Sequence, residues 1–183
     1  MAGIEMSQPM VDRLRAKVSA EEIPVVIGDM ATATAPDAGT YRLVYLVFNT
    51  ITNLLTQDAQ VDCFANAARH LAPGGYFVIE CFVPNLRRLP PGQTASPFSV
   101  TEDHLGFDTY DLTNQLLTSH HFRPNGDGFR RVASNHRYLW PSELDLMARL
   151  AGMELVERLA DWDGSSFDGE SPSHVSVWRL PAG

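Results

Sequence analysis

Two continuously apolar runs on either side of one amphipathic segment constrain this chain more than any other feature. Residues 43–48 read LVYLVF and residues 76–82 read YFVIECF, broken only by Glu80. A strand with one face in water alternates apolar and polar residues, so unbroken apolar runs mark strands covered on both faces. Between them, Thr56 can cap a helix whose Val61, Phe64, Ala68 and Leu71 recur at helical spacing, with Pro73-Gly74-Gly75 as its stop. Strand, helix and strand of this kind close as a parallel pair joined by a right-handed crossover. Upstream, Met1 to Glu5 is a short apolar run ending in an acid. Ser7 reads as the N-cap of a helix carrying Met10, Val11, Leu14 and Val18. Ile23 to Ile27 is a β-branched strand that stops at Gly28-Asp29, and residues 31–40 are a loop. The implied class is α/β, a Rossmann-like, mostly parallel sheet.

The pattern changes after Pro84. Residues 85–101 are rich in Pro, Arg and Ser and read as a long loop. Residues 106–122 and 129–140 suit antiparallel strands, with Asn125-Gly126-Asp127-Gly128 as the turn between them. Ser142 opens a helix with Leu144, Met147, Ala148 and Ala151 as its stripe and Gly152 as its stop. Met153 to Leu159 and His174 to Leu180 are final strands, joined by a Gly/Ser/Pro-rich loop too short for a helical crossover and therefore antiparallel. The strand at 174–180 is expected beside 76–82, with 153–159 at the edge. With 183 residues the chain suits one domain, residues 1–183, with a cap inserted at about 85–140.

Composition narrows the partners. A net charge of −8 argues against nucleic acid, whose phosphates select clustered cations. The tightest basic group, Arg130-Arg131 with Arg123 and Arg137, is broken by other residue types and reads as a solvated strand face. Cys63 and Cys81 are expected to be buried free thiols. No zinc spacing occurs, and the adjacent strand histidines His120 and His121 cannot both turn to one ion, so no metal is expected. No stretch approaches the ~20 apolar residues of a membrane span, and no leader pattern opens the chain, so a cytoplasmic protein with no membrane partner is expected.

In doubly wound sheets ligands bind beyond the carboxyl ends of the strands. Glu5, Asp29, Asn49 and Glu80 stand at those ends. The Glu5 carboxylate suits a ribose diol and equally suits the N-terminus of the helix that follows. Asp29, taken alone, reads first as a turn residue after Gly28. In the inserted strands His136, Tyr138 and Trp140 share one face, while His120 and His121 point opposite ways. For each histidine a half-buried strand position is the simpler reading. A catalytic role falls to His136, Tyr138 and His121 if the cap encloses an acceptor.

Successive stretches resemble the motifs of class I S-adenosylmethionine-dependent methyltransferases. They are Gly3-Ile4-Glu5-Met6-Ser7, Gly28-Asp29-Met30, Tyr45 to Leu54, Leu71-Ala72-Pro73-Gly74-Gly75, Trp140-Pro141-Ser142-Glu143-Leu144, Ala151-Gly152-Met153 and His174 to Trp178. The resemblance implies S-adenosylmethionine as cofactor and methyl transfer to an acceptor. It places Glu5 on the ribose hydroxyls, Met6 on the adenine face, Asp29 on the exocyclic amine and the Met30 N–H on a ring nitrogen. Phe48 and Asn49 then lie beside the methionine moiety and the transferred methyl. The Asn-Pro-Pro-aromatic segment of nucleobase-amine and glutamine methyltransferases is replaced by Asn49-Thr50-Ile51-Thr52, which points to a small-molecule acceptor.

The sequence departs from the family at one place. The acidic residue and Gly-x-Gly-x-Gly loop, with the first strand and helix around them, should precede Met1. On this reading the chain is N-terminally truncated, and the alternative to an enzyme is a non-catalytic remnant or adenosine-binding module. The strands ending at Glu5 and Phe48 would then stand two strand spacings apart, about 10 Å. Open edges of that kind favour self-association, poor solubility and weak cofactor binding.

Overall fold

The computed structural model describes residues 1–182. Strand β1 (Gly3–Glu5), helix α1 (Gln8–Arg15) and strand β2 (Val25–Ile27) open the chain, and β1 and β2 pair in parallel. Next come β3 (Tyr41–Leu46), a 3-10 turn at Thr50–Asn53, α2 (Gln57–His70) and β4 (Leu71–Phe82), with β3 and β4 parallel as expected. Thr56 caps α2 by accepting the Ala59 N–H at 3.1 Å.

The cap follows as β5 (Ala95–Val100), β6 (Leu105–Asp111), β7 (Leu116–Asn125) and β8 (Gly128–Arg137), an antiparallel sheet in that order. Helix α3 (Pro141–Leu150), β9 (Glu154–Leu159) and β10 (Ser173–Arg179) complete the fold. The sheet order β3-β4-β10-β9, with β10 antiparallel to both neighbours, is the expected one.

The core lies between this sheet and helices α2 and α3. Phe64 meets Phe77 and Trp178 edge-on at 5.1 and 5.4 Å between ring centroids, and Leu144, Met147 and Met153 close around them. Aromatic edges against ring faces make this packing specific as well as apolar. Cys63 and Cys81 are buried and free, and burial pushes both thiols up to about 12. Trp140 and Trp162 are exposed; only Trp178 among the tryptophans belongs to the core.

Several local expectations are corrected. Pro73-Gly74-Gly75 is not the stop of α2, which ends at His70; β4 has already begun at Leu71, opposite Tyr41, and passes through the glycines with a shift of register. Gly74 bends the strand with a φ of +81°, and its N–H donates to the Leu180 carbonyl at 2.8 Å. A Cβ at Gly75 would meet the carbonyl oxygens of Tyr41 and Ala72 at 2.9 Å, so only glycine lets β3 approach so closely. Residues 85–101 are not all loop, since β5 adds a fourth strand to the cap. Residues 106–122 form two strands, because the chain turns at residues 112–115. Trp140, rather than a residue beyond Pro141, is the N-cap of α3, with proline at the first helical position where its missing N–H costs nothing. Ser7 caps α1 by position without a side-chain bond.

Arg137 overturns the reading of a solvated basic face. It is 5% exposed and pairs with Glu143 at 2.8 Å, bonding also to Gln60 and to Gln115. Arg123, Arg130 and Arg131 are exposed as expected. At its last residue β8 passes beneath α2 and α3, so the face that is outer elsewhere in the cap is buried there.

The β1–β2 pair and the β3-β4-β10-β9 sheet are not hydrogen-bonded to each other. A cleft of about 480 Å³ separates Gly3 and Ile4 from residues 41–46, with Cys63, Ala67 and Phe77 along it.

Candidate active site

The chain leaves β3 through two successive left-handed residues, Phe48 (φ 55°) and Asn49 (φ 58°). For a bulky residue this region is unfavourable by roughly 1–2 kcal/mol, so the bend must be held by its surroundings. Asn49 Oδ1 accepts the Phe82 N–H at 2.7 Å, tying the bend to the end of β4. The Phe48 N–H donates to Glu80 Oε2 at 3.3 Å. Thr52 returns both its N–H and its hydroxyl to the Asn49 carbonyl, at 2.9 and 2.7 Å. The Phe48 ring is thereby left 84% exposed.

The cap reaches the same bend through His136, whose Nδ1 lies 3.1 Å from Thr52 Oγ1. With the Thr52 hydroxyl proton given to Asn49, Thr52 Oγ1 can only accept from the imidazole. The network therefore assigns the proton of neutral His136 to Nδ1 and the lone pair to Nε2, 3.0 Å from Ser134 Oγ. Burial lowers the His136 pKa below its ordinary value, with Asp108 pulling the other way, so the ring is neutral at pH 7.

Asp108 stands on the same face of the cap sheet and accepts the Ser119 hydroxyl at 2.6 Å. Tyr138 is buried at 1% exposure and meets Tyr110 edge-on at 6.1 Å. Burial raises both phenol pKa values, so both tyrosines are neutral donors rather than bases. His121 also lies on this face but further along, stacked on His104 at 5.2 Å and covered by the Phe98 ring over Gly106. His120 points the other way, to Thr109 and Arg131.

Of the residues expected at the site, the structure joins Asn49 to His136 through Thr52, sets Phe48 beside them, and leaves Tyr138 one residue layer away. His121 is not part of that cluster. Glu5 and Asp29 are placed together by the β1–β2 register, which pairs Glu5 with Ile27. Glu5 Oε1 accepts the Ser7 N–H at 2.8 Å and Asp29 Oδ1 accepts the Ala31 N–H at 2.8 Å. Each carboxylate keeps its other oxygen free of hydrogen bonds among the described residues. Met6 is 66% exposed beside them, and the carbonyl of Met30 is held by Asn66 at 2.9 Å. Thr52, Asp108, Ser119 and Tyr110 went unnoticed in the sequence. For Asp108 and Tyr110 the strand alternation against Phe107 and Thr109 was a usable signal; for Thr52 there was none. No group of three or more metal-ligating side chains is found among the described residues.

Residues 1–75 match the family described as methyltransferase domain. Across 99% of this chain and 74% of the other, the structure is similar to the CcbJ methyltransferase from Streptomyces caelestis, with 38% identity and a TM-score of 0.85. The chain belongs to the class I S-adenosylmethionine-dependent methyltransferases. A methyltransferase of this family uses S-adenosylmethionine as methyl donor. The cypemycin N-terminal methyltransferase of a Streptomyces species is 23% identical over 180 residues, covering 97% of this chain and 73% of that protein. The same fold recurs in the S-adenosylmethionine-bound amino pentose methyltransferase from Micromonospora echinaspora, at 19% identity and a TM-score of 0.71 over 98% of this chain and 73% of that one. Among the described residues of this methyltransferase, no helix is long and apolar enough to cross a membrane.

Proposed function

We propose that this methyltransferase moves a methyl group from S-adenosylmethionine to an amine nitrogen of a small-molecule acceptor held between the Phe48–Asn49 bend and the cap. The observation that carries the reading is the Asn49–Thr52–His136 chain of hydrogen bonds, which presents a neutral imidazole at the carboxyl end of β3. An amine is mostly protonated at pH 7 and must lose a proton before it can act as a nucleophile, so a positioned base is required. An oxygen or nitrogen acceptor without that need would leave His136 idle. The amine-directed names of the cypemycin, amino pentose and glycopeptide N-methyltransferases support the same choice.

The donor set fits the cofactor. The free oxygens of Glu5 and Asp29 suit a ribose diol and an exocyclic amine, and exposed Met6 offers an apolar thioether to an aromatic face. The cofactor supplies an electrophilic methyl on a sulfonium. Phe48 and Asn49 bound its methionine end, and the chain's own contribution is orientation and proton removal. His136 is the base; Tyr138 and Tyr110 are neutral walls, and His121 lies too far along the cap to share in proton transfer.

On this reading residues 1–183 act as one methyltransferase-like unit with its cap at about 85–140. The buried free thiols suit a reducing compartment, in keeping with a cytoplasmic enzyme. The facing, unpaired edges of β1 and β3 offer a route to self-association, and nucleic acid and membrane have no place in the scheme.

Calorimetric titration with S-adenosylmethionine tests the assignment. Glu5→Ala should weaken binding by about 1.5–3 kcal/mol, the worth of a charge-assisted bond. Asp29→Asn should weaken it less, because the amide oxygen still accepts. One affinity for all three proteins removes the reading.

A further inference from the structure

The inner face of the cap sheet carries a carboxylate that no protein cation neutralises. Strand register sets Asp108 of β6 opposite Ser119 of β7, and Ser119 opposite Ser134 of β8, all on the face that bears His136. Asp108 is half-buried. The Ser119 hydroxyl holds its Oδ1, while Oδ2 makes no hydrogen bond among the described residues. Among the described residues the cations of the cap make no ion pair with Asp108. Arg131 lies on the outer face against His120, Arg123 and Arg130 sit at the exposed hairpin end, and Arg137 is buried with Glu143.

A partly desolvated carboxylate without a counter-charge is costly. The Ser119 hydroxyl accounts for only one of its two oxygens. Its charge already bears on His136, which it favours in the protonated form. Tyr110 and Leu117 beside it give this face of the cap an apolar side. The site thus offers a single anion, a proton acceptor and an apolar surface.

We propose that Asp108 is the specificity residue for the acceptor, its free carboxylate oxygen binding the ammonium group of an amine substrate and holding it beside Nε2 of His136. This rests on the reading of the chain as an amine methyltransferase. The ammonium gives one proton to the Nε2 lone pair, leaving a neutral amine with its electron pair free and an imidazolium. Asp108 exchanges no proton in this step. The positive charge passes from the ammonium to the imidazolium, so no net charge is created at the site. Asp108 binds, and His136 takes the proton.

The test uses two probes of one skeleton, 2-phenylethylamine and 2-phenylethanol, titrated into the full chain while the His136 ring signals are followed by NMR. The amine should bind about tenfold more tightly than the alcohol, the difference between a charge-assisted and a neutral bond, and should shift His136. Asp108→Asn keeps the Ser119 contact and should bring the amine down to the alcohol's affinity while leaving the alcohol unchanged. Equal affinities in the unaltered chain, a variant that keeps the preference, or a His136 signal unmoved by the amine each overturn the proposal. Should the variant fail to fold, the comparison of the two probes on the unaltered chain decides. No methyl transfer is needed for this readout. Failure to bind S-adenosylmethionine with the amine preference intact would therefore strike the function and not the role of Asp108.

Discussion

Thr52 Oγ1 and His136 Nδ1 lie 3.1 Å apart and join two elements 84 residues distant in sequence. Through this contact the cap and the strained bend after β3 are one mechanical unit. Thr52→Val keeps the shape and removes the hydroxyl. The imidazole then loses its fixed tautomer, and Asn49 keeps only the Thr52 N–H. kcat should fall about tenfold with little change in KM, and ring ¹⁵N shifts should show a mixture of tautomers. An unchanged tautomer would separate Thr52 from the base.

His136 itself should matter more. General-base catalysis contributes about 10²–10⁴-fold, so His136→Gln should lower kcat by about 10²-fold or more. Burial lowers the pKa of His136 from its ordinary 6.5, and the base works only when neutral. Activity should therefore be flat through neutrality and fall only as pH drops below 6.5. The Gln variant should lack that acid limb. A limb that survives the substitution belongs to another group.

The strained bend gives opposite signs for neighbouring substitutions. Phe48→Gly relieves the left-handed penalty and should stabilise the fold by up to about 1 kcal/mol while lowering the methyl-transfer rate. Asn49→Ala leaves the Phe82 N–H without its partner and should destabilise by about 1–3 kcal/mol. Urea unfolding of the two variants checks the pair; equal effects would mean that the bend is not under strain.

Arg137 and Glu143 make the buried ion pair beneath the cap. Removing one partner of such a pair typically costs about 3–5 kcal/mol, so Arg137→Ala should unfold far more readily than Arg131→Ala, which alters an exposed residue. Burial alone would raise the Glu143 pKa, but the bonds from Arg137, Gln57 and Gln115 outweigh it and hold the carboxyl below its ordinary value. Its stabilisation is present above pH 4.5 and is lost as pH falls through the lowered value. Denaturant midpoints that do not separate the two arginine variants would contradict this.

The parallel crossover unit and the order β3-β4-β10-β9 were legible because buried parallel strands are written as unbroken apolar runs and a short loop permits only an antiparallel return. The two-strand reading of the cap, and the loop assigned where β5 lies, failed for a different reason. β5 contains Pro97 and polar residues, and its pairing depends on β6 rather than on its own composition. Arg137 was misread because burial at the end of β8 is decided by α3, which follows it, and by Gln60 of α2, 77 residues away in sequence, not by the alternation along β8. Asn49 and His136, which the structure links through Thr52, were singled out from their positions at a strand end and on a strand face. Thr52 was not, since a threonine in a turn carries no mark of the side chain that will meet it. Asp108 had the right alternation but looked like any surface acid until its free oxygen and the lack of an ion pair among the described residues were seen.

His174 offers the cleanest pH test. It is fully buried at 0% exposure, and its Nδ1 lies 2.8 Å from Ser176 Oγ. That oxygen also accepts the Arg158 Nε–H at 2.8 Å, so Ser176 links the imidazole to the Arg158–Asp145 ion pair. Nε2 is buried without a hydrogen-bond partner among the described residues. Burial, reinforced by Arg158 and opposed by Asp145, lowers the pKa from 6.5 to about 4. Between those values the unfolded chain binds a proton that the native chain refuses, so stability rises with pH across the window. At about 1.4 kcal/mol for each unit of pKa, His174 should make the fold about 3 kcal/mol weaker near pH 4 than at pH 7. His174→Leu, similar in volume and unable to titrate, should lose that slope between pH 4 and 6.5 and keep the steeper loss at lower pH that Glu143 brings. Urea midpoints measured at pH steps across the window would show the two curves converging at neutral pH and separating in acid. Curves that stay parallel throughout would mean that His174 is protonated in the folded protein and that its orphaned nitrogen is satisfied.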